Sequence, residues 1–557
     1  MKAFSMKIFL IAILWILQVM MLHAQNWQWS HHLGSDREER VKGVTDKYGN
    51  FYMAGDFDGY YFYSANQTLT RRGGAGLFLA KYDPQGNEEW IRQFDTYSSS
   101  NIPEHDGHIW NIITGEDGFV YLTGWFKEKK NFGSCTLNSH GGDMFLVKFA
   151  PDGSCRWAKS AYGAQDVNGN SMATDSLNNV YIFGANKSAA FFDTISVEAG
   201  GFLAKYDSTG EVLWARNIIP VSTLYSDKPP QVVFSGMTVS GGKLFAIGRE
   251  YAYSITVDTA TRNHPGMMGN ALCCFDLDGN IQWLREGISI VTEGGNNLSA
   301  DRQGNIYICG YFFESIDFNG TILNTEQYKS DYFVCKYGHN GDLVWADQCS
   351  ASDDAKSYSV FSDSTGHIYL TGSFSGTARF GSDTVTSDSL LDMFLARYDP
   401  GGQCLGVVHF GNAEGQSVGQ DVNGNPVVVG TFSKNIMIGQ NTYNNFQTTP
   451  YTMDDIFIAK CGQIPGSVEP RYPEENQLLI YANPNEGKCT VTIPEEFLHE
   501  KQLTLQVFDF QGKLIEKTVL TLADGKIRLN LEAQSKGMYQ VVVDNGRKRY
   551  TGKVVFE

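Results

Sequence analysis

A two-part phrase recurs along this chain and leaves it few ways to fold. It reads D-x-x-G-N-x-Y-x-x-G, then a variable stretch, then F-L-A-K-Y-D-x-x-G-x-x-x-W. The clearest copy runs from Asp46 to Gly55 and resumes from Phe78 to Trp90. The first half occurs seven times, closing on glycines at 55, 124, 184, 248, 310, 372 and 430. A period of roughly 60 residues suits one four-stranded antiparallel unit with an enlarged loop. Alternation such as Tyr52/Ala54 and Phe78/Ala80 turns one face of each strand inward. In the turn, Asp can bond its own backbone and Gly accepts positive φ. The Trp that ends each copy offers a large apolar area to bury in the outer part of the unit.

The copies are not identical. Phe245 replaces the Tyr in the fourth, Leu405 replaces the Trp in the sixth, and the seventh stops at Gly462 with no Trp strand. The segment from Trp29 to Gly34 resembles a fourth strand with no partner before it. Pairing it with the seventh copy would remove both exposed edges. The predicted fold is therefore all-β: a seven-bladed β-propeller over residues 25–462, closed by an N-terminal strand, followed by a small Ig-like β-sandwich. From Trp29 to Gly462 the pattern resembles the SBBP repeat, a bacterial β-propeller repeat. That resemblance implies an architecture and no catalytic set.

Residues 1–24 have the form of a signal peptide. Lys2 and Lys7 precede the apolar run from Ile8 to Leu17, and Leu22-His23-Ala24 offers a cleavage site. No stretch is long and apolar enough for a stable membrane span. Residues 463–476 contain Pro465, Pro470 and Pro473 and lack alternation, as an extended linker would. Residues 477–557 form a separate domain. Strands are expected at Leu478–Tyr481, Cys489–Ile493, Leu503–Phe508, Leu514–Leu520, Ile527–Leu531, Tyr539–Val543 and Lys553–Glu557.

This tail carries Tyr481-Ala482-Asn483-Pro484-Asn485-Glu486-Gly487, Val507-Phe508-Asp509-Phe510-Gln511-Gly512-Lys513 and Lys536-Gly537-Met538-Tyr539. These landmarks resemble the type A C-terminal sorting domain of the type IX secretion system, with Ala482 departing from the usual Pro. The resemblance implies that the type IX machinery is a partner. It also implies that the protein is secreted, or held on the outer cell surface, in a Gram-negative bacterium.

The net charge of −17 argues against a nucleic-acid partner. The ten Cys have no C-x-x-C spacing, and Cys309 could pair with Cys335 if their strands are neighbours. Several short motifs have a chemical and a structural reading. Gly415-Gln416-Ser417-Val418-Gly419 matches a nucleophile elbow but lies in an expected strand. Asp166–Asn170, Asp276–Asn280 and Asp421–Asn425 start like calcium loops without completing them. Asp83 to Trp90 resembles the sialidase Asp-box with altered spacing. His31 and His32 are adjacent in a strand and should split between surface and core. Arg547-Lys548-Arg549 follows a hairpin turn and suits a solvated strand.

No catalytic, cofactor-binding or metal-ligating residue is assigned, and no cofactor is expected. The expected function is non-catalytic binding of an extracellular glycan or protein. The alternative is a polysaccharide hydrolase or lyase with its site at the propeller channel mouth. A spacer without a ligand is a third reading. Binding is expected at the channel mouth and in the loops Thr223–Val232 and Tyr251–Met268, with Tyr225, Asp227, Tyr251 and Tyr253 as candidates.

Overall fold

The computed structural model describes residues 27–71, 74–94, 106–221, 232–250, 254–257, 260–263, 268–326, 329–446, 455–462, 464, 478–481, 488–493, 497, 503–509, 514–520, 526–531, 534, 536–544 and 549–556. The chain divides into two compact units, Met1–Ser467 and Val468–Glu557. No helix among the described residues is long and apolar enough to cross a membrane.

The first unit is a succession of antiparallel four-stranded meanders, labelled A to G in chain order. Meander A contains Glu39–Thr45, Phe51–Phe57, Gly76–Tyr82 and Glu88–Phe94. B covers residues 107–163, C 167–221 and F 355–411. D and E share one long strand, Ile281–Ala300. Its first half pairs with Met268–Asp276 in D and its second half with Ile306–Asp317 in E. G takes Ala413–Gln420, Pro426–Phe432 and Asp455–Cys461 from the end of the unit. Its fourth strand is Trp27–Ser35, which pairs with Asp455–Cys461 in a register that sets His31 opposite Ile458.

Each apolar core lies between two consecutive meanders. Tyr52, Leu79, Leu122 and Val147 join A to B. Tyr181, Leu203, Leu244 and Cys273 join C to D. Leu33, Met53, Phe78, Val429 and Ile458 place G against A in the same way. Several repeat positions keep one role from copy to copy. The turn Asp accepts hydrogen bonds from its own loop: Asp46 Oδ1 takes the N–H groups of Tyr48 and Asn50, both at 2.9 Å. In meander B the Lys of the third strand is buried against the turn Asp, Lys148 against Asp117 at 2.9 Å, whereas in A Lys81 pairs with Glu89 at 2.8 Å. In G, Lys460 pairs with Asp421 as Lys148 does with Asp117.

The Trp does more than fill the outer blade. It is half-buried and lies over the glycine of the last turn in the following meander. Trp90 covers Gly153, Trp157 covers Gly210, and Trp345 covers Gly402. Trp157 Nε1 also donates to the Ser208 carbonyl at 3.2 Å, and Trp345 Nε1 to Pro400 at 3.1 Å. Trp29 does this to Gly86 of meander A. A Cβ on Gly86 would sit 2.5 Å from the Trp29 ring, and its φ is +87°, so only Gly fits. In the sixth copy the register places Gly406, not Leu405, at the Trp position: Gly406 faces Arg397 as Trp345 faces Lys336, and the loss of the Trp follows from the same rule. Meander G has no turn after Asp455–Cys461, because its fourth strand arrives from the other end of the chain.

The expected Cys309–Cys335 pairing is not made. Cys309 stands opposite Val334 and Cys335 opposite Ile308, one step out of register. Side chains one residue apart point to opposite faces, and the two cysteines enter different cores. Cys135 and Cys155 form a disulfide instead, tying the inserted hairpin of meander B to its fourth strand.

The second unit has two sheets. One holds Leu479–Tyr481, Lys488–Thr492 and Lys526–Asn530; the other holds Leu503–Asp509, Leu514–Leu520, Gly537–Asp544 and Arg549–Phe556. Val491 and Leu529 from the first share a core with Leu505, Val507, Val541 and Val554 from the second. The expected strands are all present, Leu514–Leu520 with the same bounds and the others with ends shifted by up to four residues.

Candidate functional site

The repeated motifs are occupied by structural work. In the calcium-like turns, Asp276 Oδ1 accepts the N–H groups of Asp278 and Asn280, and Asp421 Oδ1 those of Asn423 and Asn425. Asp166 pairs with Lys187 at 2.7 Å at the edge of a strand rather than in a loop. Asp83 bonds the backbone of Gln85 and Asn87. Ser417 is buried in the extended strand Ala413–Gln420, where no strand-to-helix turn presents it. Tyr225, Asp227, Tyr251 and Tyr253 lie outside the described residues, as do Arg547 and Lys548.

His31 and His32 do not split between surface and core. Both are half-buried, because both faces of Trp27–Ser35 are covered. His31 stacks on Tyr82 at 5.6 Å, and burial pushes its pKa down. His32 stacks on Phe446 at 4.2 Å and bonds Asp455 at 2.6 Å.

A recess of ligand size with convergent polar groups lies between meanders F and G. It has a volume of about 810 Å³. One wall is the end of Cys404–Gly411, the other is the inserted hairpin of meander G, Asn435–Ile438 and Asn441–Asn444, and Trp27–Ser30 lies alongside. Trp27 meets Phe410 edge-to-face at 5.6 Å. Asp388, Ser389 and His409 stand at one end.

Asp388, Asp392 and His409 bring one ligand atom each within 4.8 Å of one another. Asp392 is fully buried. It accepts from His409 Nδ1 at 3.0 Å, Ser389 Oγ at 2.8 Å and the Asp388 N–H at 2.9 Å. Burial works to raise its pKa, but these hydrogen bonds outweigh it and hold the carboxyl below the usual range. The same pair recurs one meander on as Asp455 with His32. In both, an Asp opening the third strand is held by a His of the fourth. That recurrence fits a strand-to-strand latch. Asp388 is exposed at the rim. Sequence inspection missed this recess because its lining comes from stretches far apart in the chain, around Trp27, Asp388 to Asn412 and Asn435 to Asn441, that only the fold brings together.

Glu39 is a second local departure. It opens meander A where Ala355 and Ala413 open F and G, and it is buried beside Asp455 with Ser35 as its hydrogen-bond partner. Glu39 Oε2 and Asp455 Oδ1 have no hydrogen-bond partner among the described residues. Burial pushes the Glu39 carboxyl well above its ordinary value; the Ser35 hydroxyl opposes this and Asp455 adds to it. A raised pKa favours the fold while the group is protonated, and that contribution is lost as pH rises through the folded-state value. Glu39→Gln is therefore expected to stabilise the protein by about 1 kcal/mol at pH 8. The gain should vanish near pH 4. Urea denaturation at both pH values checks this; equal gains would contradict it.

Residues 479–557 match the family model for the secretion system C-terminal sorting domain. The match identifies the second unit as a sorting domain for type IX export, which implies a secreted or outer-surface protein that meets the type IX machinery. A curated relative, an uncharacterized WD repeat-containing protein of Acanthamoeba polyphaga mimivirus, is 24% identical over 513 residues. The alignment covers 73% of this chain and 36% of that protein, so the chain spans about a third of the relative's length. Among solved structures, the Dos1 propeller covers 80% of this chain and 99% of its own at 8% identity and a TM-score of 0.38. Synechocystis apocarotenoid oxygenase covers 78% and 98% at 10% identity and a TM-score of 0.36.

Proposed function

We propose that this protein is a secreted or cell-surface, seven-bladed β-propeller that binds an extracellular glycan or protein without catalysing its turnover. Residues 1–24 serve as the signal peptide, 25–462 as the propeller, 463–476 as the linker and 477–557 as the sorting domain. The carrying observation is that, among the described residues, the chemically suggestive repeat motifs are committed to turns, ion pairs, strands or Trp caps. The G-to-A core around Leu33, Met53 and Ile458 supports a closed ring. So does Lys42 of meander A, which lies within electrostatic reach of Cys309 in meander E.

The test uses the full chain on an array of bacterial and plant polysaccharides and surface proteins, with reducing ends and unsaturated products assayed in parallel. Saturable capture without product formation is the expected result. Product formation would replace this reading with the hydrolase or lyase, and no capture at all would leave the spacer.

A further inference from the structure

In several meanders the hairpin inserted between the second and third strands pairs with the fourth strand of the preceding meander. Gly34 stands opposite Tyr63, Tyr162 opposite Phe191, Ile218 opposite Val257, and Ser350 opposite Arg379. In meander G the hairpin Asn435–Ile438 and Asn441–Asn444 pairs only with itself among the described residues. Its neighbour, Cys404–Gly411, is the fourth strand that has Gly406 at the Trp position. A recess of about 810 Å³ opens there, within the range of small-ligand sites.

We infer that this recess is a binding site for a short neutral oligosaccharide, an inference that rests on the proposed binding function. Its lining suits a sugar. Trp27 is half-buried and supplies an aromatic surface on which a pyranose C–H face can stack. Gln28, Asn412, Gln440 and Asn441 surround it with amide groups that can donate to and accept from paired hydroxyls. Asp388, exposed at the rim, adds a carboxylate acceptor. No Lys or Arg lines the recess. On a chain of net charge −17, that lining disfavours a polyuronate or a phosphorylated ligand. A peptide would need a deep apolar pocket for an anchor side chain. Here the apolar residues Phe410, Ile436 and Ile438 are already buried.

The experiment is isothermal titration of the full chain with cellotetraose, mannotetraose and tetragalacturonate. The variants are Asp388→Ala/Gln440→Ala, both exposed positions, and the exposed control Leu177→Ala in meander C. Thermal melts confirm that all three chains are folded. The inference expects a neutral tetrasaccharide to bind the parent and the control equally and the double variant at least tenfold more weakly, with no heat from tetragalacturonate. Equal binding by all three would overturn the site while leaving the binding function intact. Preference for tetragalacturonate would overturn the neutral class. Capture of protein ligands only, with no sugar bound, would overturn the inference and leave a protein-binding module.

Discussion

A chain lacking Gln477 to Glu557 is expected to remain inside the cell envelope, while the full-length protein reaches the medium or the outer surface. The second unit is built to act as a separate address. Its core is self-contained, with Val491, Val507, Val541 and Val554 fully buried. The first unit draws its cores from meanders A to G alone. Truncation should therefore leave a folded, protease-resistant first unit in the wrong compartment. A full-length Val541→Asp variant separates the fold of the tail from its mere presence. Burying a lone carboxylate there should cost several kcal/mol and stop export equally. Cell fractionation with immunoblotting reads both chains, and undiminished secretion of the truncated chain would sink the sorting assignment.

The second large effect is expected from removing Trp27 to Ser35. That deletion strips the partner from Asp455–Cys461 and takes Leu33 out of the core shared by G and A. It also uncovers Gly86, where Trp29 sits, and leaves Asp455 buried without His32. The last of these alone is substantial: breaking a buried polar pair by removing one partner costs about 3–5 kcal/mol. His32→Ala should lower stability on that scale, and deletion of the strand should abolish cooperative unfolding of the first unit. Urea melts followed by tryptophan fluorescence measure both. A deleted chain that still unfolds in one sharp transition would show that this strand is dispensable.

Much of the fold could be read from the residues because repetition turns weak local signals into strong ones. A single D-x-x-G-N turn or an isolated Trp would mean little. Recurring at a fixed spacing, they place strands whose pairing the structure bears out, including that of Trp29 to Gly34 with Asp455–Cys461. The role of the Trp was only half legible. Its bulk suggested burial, but its target is a glycine some 60 residues further along, which no local pattern reveals. Disulfide choice was not legible at all: neighbouring strands were foreseen for Cys309 and Cys335, but one step of register turns them apart. The recess beside Cys404–Gly411 stayed hidden for the opposite reason. Sequence patterns advertise single segments, whereas this feature is lined by stretches around Trp27, Asp388 to Asn412 and Asn435 to Asn441 that meet only in the fold.

The pairing of Trp27–Ser35 with Asp455–Cys461 also sets a clock on folding. The earliest strand to leave the ribosome meets its partner only after more than 400 residues have followed it. Contacts of such long range form late, since the loop between them must first be ordered. Until then the earlier meanders can gather only as an open arc. Both ends of the first unit must therefore be present before Leu33 can enter the core that G shares with A. The same seam that ties the two ends of the unit together thus makes its completion the last event of folding rather than the first.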